Sequence, residues 1–338
     1  MTSRFLLLAS VVRGLWPGMA IAAVIALAAT FVSTTYGGPQ LLYALFFGIA
    51  FHFLSTDERC RPGIEFCART LLRTGVALLG ARITFAKIAS LGVAPIAIVI
   101  AAVASTTLLG WLLGRKLGRP TTEGIISGGA VAICGASAAL AISAVLPQTK
   151  ENERFTLFTV VGVTGMSTIA MVTYPLIARL VGLNADGAGI FLGGTIHDVA
   201  QVVGAGYLLS AHTGDVATFV KLTRVACLVP VVLLLSILFR THNGTTEIDA
   251  PPLVPRFLIG FAWLLTVNSF GFIPAAAGEF INGASRACLV AAIAALGVKT
   301  SLQSLGALGW QVVLMLVAET VWIALLVLTA LAVLGYIG

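Results

Sequence analysis

Residues 69–92 read RTLLRTGVALLGARITFAKIASLG, and a shift of 217 positions lays them without a gap on residues 286–309, RACLVAAIAALGVKTSLQSLGALG. Seven of the 24 positions are identical, and the aligned pairs include Gly80/Gly297, Arg82/Lys299 and Thr84/Ser301. The same shift roughly matches Pro39 with residues 254–255 and the apolar run 88–113 with 308–337. We therefore predict that three consecutive helices occur twice, the first copy covering residues 39–119.

The composition around this repeat is that of a membrane protein. Of 338 residues, 59% are hydrophobic and 10% are charged, whereas an ordinary globular domain is about a quarter charged. This composition excludes a soluble enzyme, a disordered tail and a fibrous protein. The net charge of +7 is carried by basic residues between apolar runs, so it indicates membrane topology and not a nucleic-acid partner.

Apolar runs long enough to cross a bilayer predict an all-α, polytopic membrane protein of about eleven spans. The first run follows Arg4 and Arg13, and it is too long for a signal peptide. The eleven predicted spans are 15–33, 40–54, 64–80, 88–113, 124–146, 155–181, 188–210, 216–239, 257–270, 284–298 and 308–337.

Basic residues in the connections predict a cytoplasmic N-terminus, because cytoplasmic loops are enriched in Lys and Arg. With eleven spans, eleven basic residues fall on one side and four on the other. The first side has Arg4, Arg13, Arg59, Arg61, Arg115, Lys116, Arg119, Arg179, Arg240, Arg256 and Lys299, and the second has Arg82, Lys87, Lys150 and Arg154.

The span count also predicts that the second repeat copy is inverted, because the copies lie seven helices apart. We expect an N-terminal half, residues 1–240, a cytoplasmic linker, residues 241–256, and a C-terminal half, residues 257–338. Inverted repeats with broken helices are typical of secondary transporters, whose site lies near the bilayer midplane.

Two segments are too rich in glycine and polar residues for helices that merely face lipid. They are residues 127–137, SGGAVAICGAS, and residues 193–206, GGTIHDVAQVVGAG. Glycine-rich segments can be packing faces or unwound stretches lining a wet cavity. His197 and Asp198 favour the second interpretation, because ionisable residues inside a membrane are costly and usually functional. His197 and Gln201 would share one helix face.

A basic residue inside the eighth predicted span needs a partner of opposite charge or water. Arg224 lies about two turns inside that span, and we expect it to meet an anion, water, or a carboxylate such as Asp198 or Asp215. Lys221 and Glu319 also need a partner of opposite charge or water, whereas the side chains of Arg69 and Arg73 can extend to the membrane–water interface. Five scattered cysteines predict neither disulfides nor a zinc site.

The strings ICGASAA (133–139), TIHDVAQVVGAG (195–206) and KLTRVACLVP (221–230) resemble the YeiH-type family of bacterial inner-membrane proteins over nearly the whole chain. The family name implies export of sulfate or a related sulfur oxyanion. Relatives carry His-Glu where this chain has His197 and Asp198. The inverted triplets are also similar to the NhaA-like antiporter architecture, which implies crossing broken helices at the third and tenth spans, with breaks at Gly80 and Gly297.

Together these features predict a secondary transporter of a small anion, without a cofactor or metal and without enzymatic activity. The helix N-termini at Gly128-Gly129 and Gly193-Gly194 are predicted to receive the anion, and His197 or Asp198 to carry a coupling proton or sodium ion. The predicted substrate-binding residues are Ser127, Gly128, Gly129, Cys134, Gly135, Ser137, Gly193, Gly194, Thr195, Gln201 and Arg224.

Three alternatives stay open at this stage. One is a sodium-coupled transporter or sodium/proton antiporter of another solute, and the second is a passive channel. The third is an intramembrane enzyme or a receptor, with Ser137 and His197 as the nucleophile and base of a hydrolase, although no recognised catalytic motif occurs. A homodimer is compatible with the architecture but has no motif of its own.

Overall fold

The structure, a computed structural model, describes residues 2–37, 40–147, 149–239, 256–300 and 309–337, with only the main chain for residues 2–13. Most of the predicted linker and residues 301–308 of the second repeat copy, including Ser301, lie outside these ranges. Every regular element in the described ranges is helical. The predicted all-α, polytopic class is confirmed.

Besides two 3₁₀-helices and one π-helix, the described part of the chain contains sixteen α-helices. They are α1 (Thr2–Tyr36), α2 (Gln40–Ala50), α3 (Arg61–Phe66), α4 (Leu72–Leu79), α5 (Phe85–Ser90), α6 (Ala94–Lys116), α7 (Thr121–Ala132), α8 (Ala136–Val145), α9 (Lys150–Leu180), α10 (Ala185–Thr195), α11 (Val199–Leu209), α12 (Ala211–Ala226), α13 (Leu228–Leu238), α14 (Arg256–Ser269), α15 (Ala275–Lys299) and α16 (Trp310–Val333).

Six helical segments in the described ranges are long and apolar enough to cross a membrane. They lie in α1, α6, α9, the α12–α13 pair, α15 and α16. Several other helices, including α7, α8, α10 and α11, have only 10 to 12 residues. A helix of that length extends about 15–18 Å, roughly half of the hydrocarbon thickness.

The chain forms two compact units, each built from separate stretches of sequence. Unit 1 comprises Met1–Lys87 and Arg256–Ser301, and unit 2 comprises Ile88–Pro255 and Leu302–Gly338. These units divide the chain differently from the predicted halves 1–240 and 257–338. The reason is that α14 and α15 pack with the N-terminal helices, whereas α16 packs with the central ones.

In unit 1 the two repeat copies run antiparallel. Ser285 Oγ donates to the carbonyl of Gly75 at 2.7 Å, and Lys299 Nζ lies 3.6 Å from Glu65 Oε1. Advancing along α3 and α4 therefore means going backwards along α15. An antiparallel direction of these helices agrees with the inverted relation that the span count predicts, which remains a prediction for the rest of the two copies.

The two predicted helix breaks in unit 1 differ. At Gly80, α4 has just ended, and a 3₁₀ turn (Gly80–Arg82) leads to an extended Ile83. At Gly297 the prediction is wrong, because α15 continues through this residue to Lys299. A β-carbon at Gly297 would lie 2.9 Å from the α-carbon of Gly48, so this glycine permits close helix packing.

Unit 2 contains a helical hairpin where the sequence predicts the fifth span. Thr122 at the start of α7 donates its hydroxyl to Asn152 Oδ1 at 2.7 Å. The same Asn152 side chain donates to the carbonyl of Pro147, just after α8, at 2.8 Å. Since the start of α7 and the end of α8 both reach Asn152, the chain enters and returns at one end. We call α7–α8 hairpin 1, with residues 133–135 as apex 1.

A second hairpin replaces the predicted seventh span. Thr213 Oγ1 donates to the carbonyl of Ala185, the first residue of α10, at 3.2 Å. Ser210, which directly follows α11, donates its hydroxyl to Thr213 Oγ1 at 2.9 Å. The two ends of α10–α11 therefore also lie together. We call this pair hairpin 2, with residues 196–198 as apex 2.

The two hairpins enter unit 2 from opposite ends of α9. The base of hairpin 1 contacts Asn152 near the start of this 31-residue helix, and hairpin 2 begins a few residues after its last residue, Leu180. The prediction of 124–146 and 188–210 as single spans is wrong. Hydropathy alone does not show whether the chain reverses its direction in the middle of an apolar run.

Candidate functional site

The two apexes meet inside unit 2. Gly135 at apex 1 has φ +65° and ψ −127°, a conformation that only glycine adopts readily. A β-carbon at this position would lie 3.6 Å from both the β-carbon and the carbonyl oxygen of His197 at apex 2. The two turns are thus in direct contact, and the predicted residues Cys134, Gly135, His197 and Asp198 come together.

Arg224 of α12 binds the last carbonyls of both entering helices. Its Nε donates to Ala132 at 2.9 Å and its Nη2 to Val131 at 2.8 Å, at the end of α7. Its Nη1 donates to Gly193 at 3.1 Å and to Ile196 at 3.0 Å, at the end of α10. The side chain is 0% exposed. The planar guanidinium reaches two helix ends at once because its donors fan out in a rigid fork.

Lys221, one turn earlier on α12, completes the same arrangement. Its Nζ donates to the carbonyls of Ile133 at 2.7 Å, Ile196 at 3.0 Å and His197 at 2.5 Å. The last carbonyls of a helix have no partner within it and carry partial negative charge. Two buried cations therefore neutralise the two C-terminal helix ends that point into the membrane interior.

The sequence predicts Arg224 as a site residue but with other partners, and it does not predict Lys221 as part of the site. We expected an anion, water, Asp198 or Asp215 beside Arg224, whereas the structure gives it four carbonyls. Asp215 instead accepts a hydrogen bond from the Tyr207 hydroxyl at 2.7 Å. The signal for Lys221 was present, because two basic residues three apart in an apolar helix face the same side.

The N-terminal ends of the two returning helices differ from each other. At α11, Asp198 Oδ1 accepts the N–H of Ala200 at 3.0 Å, and the Asp198 amide donates to Ser167 Oγ at 3.0 Å. At α8, the position before the helix is Gly135, which has no side chain to cap the first turn. Ser137 in that turn is exposed, whereas Cys134 is buried. The uncapped helix end is thus also the accessible one.

The four predicted binding glycines are not at helix N-termini, so that part of the prediction is wrong. They lie inside α7 and α10 and are buried. A β-carbon at Gly128 would lie 2.9 Å from the Thr106 carbonyl of α6, and one at Gly129 would collide with Ile142 of α8. A β-carbon at Gly193 would likewise contact Val220 of α12, and one at Gly194 would contact Val327 of α16. All four permit close helix packing.

The other predicted polar residues are buried around apex 2 and α16. His197 is 0% exposed, and its Nε2 lies 3.0 Å from Thr320 Oγ1. Gln201 is buried in the first turn of α11, while His197 precedes that helix, so the two do not share one helix face. Thr195 returns its hydroxyl to the Phe191 carbonyl at 2.6 Å. Ser127 donates to Glu319 at 2.7 Å.

Comparison with known proteins identifies the family to which the chain belongs. The model described as Conserved hypothetical protein 698 matches residues 14–316. The chain is 53% identical over 316 residues to the UPF0324 membrane protein CT0845 of Chlorobaculum tepidum, covering 93% of this chain and 88% of the relative. The chain belongs to the UPF0324 family of membrane proteins.

Other members of the UPF0324 family match over almost their whole length. The UPF0324 membrane protein TauZ of Paracoccus pantotrophus is 49% identical over 324 residues, covering 95% of this chain and 96% of that protein. The UPF0324 membrane protein RB0971 of Rhizobium meliloti is 47% identical over 322 residues, covering 95% and 93%. These matches confirm the resemblance to the YeiH-type family.

Proposed function

We propose that this protein is a secondary transporter of a small anion, sulfate or a related sulfur oxyanion or sulfonate, which binds at apex 1. The observation that carries the proposal is the uncapped, accessible first turn of α8 beside two buried cations. The YeiH-type family name, which implies a sulfur oxyanion, supports the choice of substrate class.

The electrostatics of the apexes favour a negative ligand. Four helix ends converge there, and the two C-terminal ends are already covered by Lys221 and Arg224. Of the two N-terminal ends, that of α11 is covered by the carboxylate of Asp198. The N-terminus of α8 has no capping side chain at Gly135, and it presents the positive end of its helix dipole, which favours an anion.

The opposed hairpins support alternating access. A site between two re-entrant segments from opposite sides is separated from each aqueous phase by one hairpin base. Discontinuous helices that present their termini to a substrate at the midplane are a feature of secondary transporters.

Coupling by a proton or a sodium ion is the second part of the proposal, with His197 and Asp198 as the candidate residues. Asp198 is half-buried at the end of apex 2, whereas His197 is completely buried. His197→Ala is expected to abolish pH-dependent flux while the protein stays inserted. An unchanged pH dependence in this variant would exclude His197 from the coupling step.

The proposal is tested by flux in proteoliposomes. Radiolabelled sulfate is the tracer, sulfite and a small sulfonate are competitors, and pH and sodium gradients are imposed separately. Gradient-dependent flux is expected for a coupled transporter, and the effective gradient identifies the coupling ion. No flux or competition with any of these anions contradicts the proposal.

The position of the site is tested with Ser137→Asp, with Ser137→Asn as the matched neutral variant. A carboxylate in the first turn of α8 stabilises the helix by about 0.3–1 kcal/mol but repels an incoming anion. Flux is expected to fall at least about tenfold in Ser137→Asp and to persist in Ser137→Asn. Equal flux in the two variants would place the anion elsewhere.

A further inference from the structure

The middle of α16 carries a carboxyl group that the proposed anion site does not use. Glu319 is 0% exposed, and its Oε1 accepts the hydroxyl hydrogen of Ser127 on hairpin 1 at 2.7 Å. Its Oε2 is buried without a hydrogen-bond partner. None of the ion pairs within 4 Å among the described residues involves Glu319.

The residue after Glu319 contacts the other hairpin. Thr320 Oγ1 lies 3.0 Å from His197 Nε2 at apex 2. Two consecutive residues of α16 therefore contact the two hairpins: Glu319 contacts hairpin 1 and Thr320 contacts hairpin 2. A change in the charge of Glu319 acts at the place where both hairpins are attached to the same helix.

The surroundings of Glu319 contain few other charges. The charged side chains on the helices packed against α16 lie towards the helix ends, and His197 is the titratable group that reaches its neighbour Thr320. Those side chains are Arg115 and Lys116 of α6, Glu123 of α7, Lys150, Glu151, Glu153, Arg154 and Arg179 of α9, and Asp186 of α10. Arg119 pairs with Glu123 at 2.6 Å.

We infer that Glu319 is a proton-binding site that couples proton movement to anion binding at the hairpin apexes. This inference rests on the proposed function; it takes the proton as the coupling ion and adds Glu319, whose neighbour Thr320 contacts His197, to the residues that bind it. A carboxylate without a cation is costly inside a membrane, so the buried Oε2 holds a proton when the site is closed to water. The proton leaves from Oε2 when water reaches Ser127 and Glu319.

Charge balance gives the direction of the coupling. Lys221 and Arg224 supply two positive charges, and Asp198 supplies one negative charge, so the apexes carry a net charge of +1 when Glu319 is protonated. Ionised Glu319 reduces this to zero and removes the attraction for an anion. Proton and anion are therefore expected to bind together and to move in the same direction.

The test uses the full-length protein with Glu319→Gln, a neutral isostere of the protonated acid. In proteoliposomes, exchange of labelled for unlabelled sulfate or sulfonate at equal pH is expected to persist in this variant. Accumulation driven by an inward proton gradient is expected to be lost. Accumulation equal to that of the wild type would overturn the inference.

Glu123→Gln is the matched control, because Glu123 is a second buried glutamate but has Arg119 as its cation. This variant is expected to keep gradient-driven accumulation. Loss of accumulation in both variants alike would show that neutralising any buried glutamate of unit 2 has this effect, and would overturn the assignment to Glu319.

Infrared difference spectroscopy of the purified protein in lipid separates this inference from the proposed function. The carbonyl band of a protonated carboxyl group is expected to weaken from acidic to alkaline buffer and to be missing in Glu319→Gln but present in Glu123→Gln. A band that does not change with pH, or that survives in Glu319→Gln, overturns the inference even if no anion is transported. If the band titrates as expected while no tested anion crosses, the proposed function fails and the proton site stands.

Discussion

At the scale of single residues, the apexes depend on one backbone conformation and two buried cations. Gly135 supplies the conformation, and its missing β-carbon would meet no atom closer than 3.6 Å. Any substitution there acts through backbone strain and not through a steric collision. Arg224 and Lys221 act through the carbonyls that they bind at the ends of α7 and α10.

Gly135→Ala should therefore cost about 1–3 kcal/mol of stability and reduce flux. Gly118→Ala is the matched control, since Gly118 also has a positive φ, +68°, with open space around it, but lies outside the apexes. Both variants should lower the thermal unfolding temperature, and only Gly135→Ala should reduce flux more than the loss of folded protein explains. An equal loss of flux per folded molecule in the two variants would contradict this role.

Arg224→Met should destabilise the protein by more than about 3 kcal/mol, because it removes four hydrogen bonds to buried carbonyls. Arg224→Lys keeps the charge but cannot reproduce the fork, so an intermediate loss is expected. Thermal unfolding can be followed with a thiol-reactive dye, since all five cysteines are free and three are buried.

The control for Arg224 is Arg179→Met, at the exposed end of α9, where a change within about 0.5 kcal/mol is expected. If Arg224→Met unfolds at the same temperature as the wild type, the carbonyls do not depend on the guanidinium.

At the scale of elements, the hairpins change which side of the membrane several charges face. With two complete spans at 124–146 and 188–210, the sequence puts Lys150 and Arg154 outside and Arg179 inside. With two hairpins, the start of α9 lies on the same side as the end of α6. Five basic residues then surround the base of hairpin 1 and one lies near the base of hairpin 2: Arg115, Lys116, Arg119, Lys150 and Arg154 against Arg179.

The positive-inside rule then predicts that the base of hairpin 1 is cytoplasmic. Cysteines introduced at Glu151 and Asp186 should be labelled by a membrane-impermeant reagent from the cytoplasmic and the external side respectively. The test compares inside-out and right-side-out vesicles, with the parent protein as the background for its five native thiols. The reverse pattern would contradict this orientation of the base of hairpin 1.

At the scale of the whole molecule, each unit needs helices from both sides of residues 240–255. Unit 1 requires α14 and α15, and unit 2 requires α16. The N-terminal stretch alone leaves Gly48 without Gly297 in unit 1 and Ser127 without Glu319 in unit 2. Neither predicted half can therefore complete a unit by itself.

A chain split between residues 247 and 248 should assemble only when both fragments are co-expressed. A tag on the first fragment should then retrieve the second from detergent extracts, and flux should be restored. Residues 248–309, which lack α16, should still be retrieved through α14 and α15 but should not restore flux. Independent folding of fragment 1–247 into a stable, active protein would contradict the two-unit division.

The sequence by itself determined the membrane class and the family, predicted the repeat, and singled out Gly135, His197, Asp198 and Arg224 among the residues that meet at the apexes. These properties follow from local composition and from identical strings such as residues 195–206, so they need no knowledge of three-dimensional contacts. His197, Asp198 and Arg224 stood out because an ionisable residue in an apolar run is rare whatever its partners are.

Only the tertiary structure decided the direction of the chain at residues 133–135 and 196–198, and therefore the hairpins. Hydropathy is the same for a helix that crosses and for two half-helices that turn back, since both bury apolar side chains and satisfy their backbone internally. The partners of Lys221, Arg224 and Glu319 were undetermined for the same reason. They come from positions 24 to 192 residues away, and such pairings arise only when the helices pack.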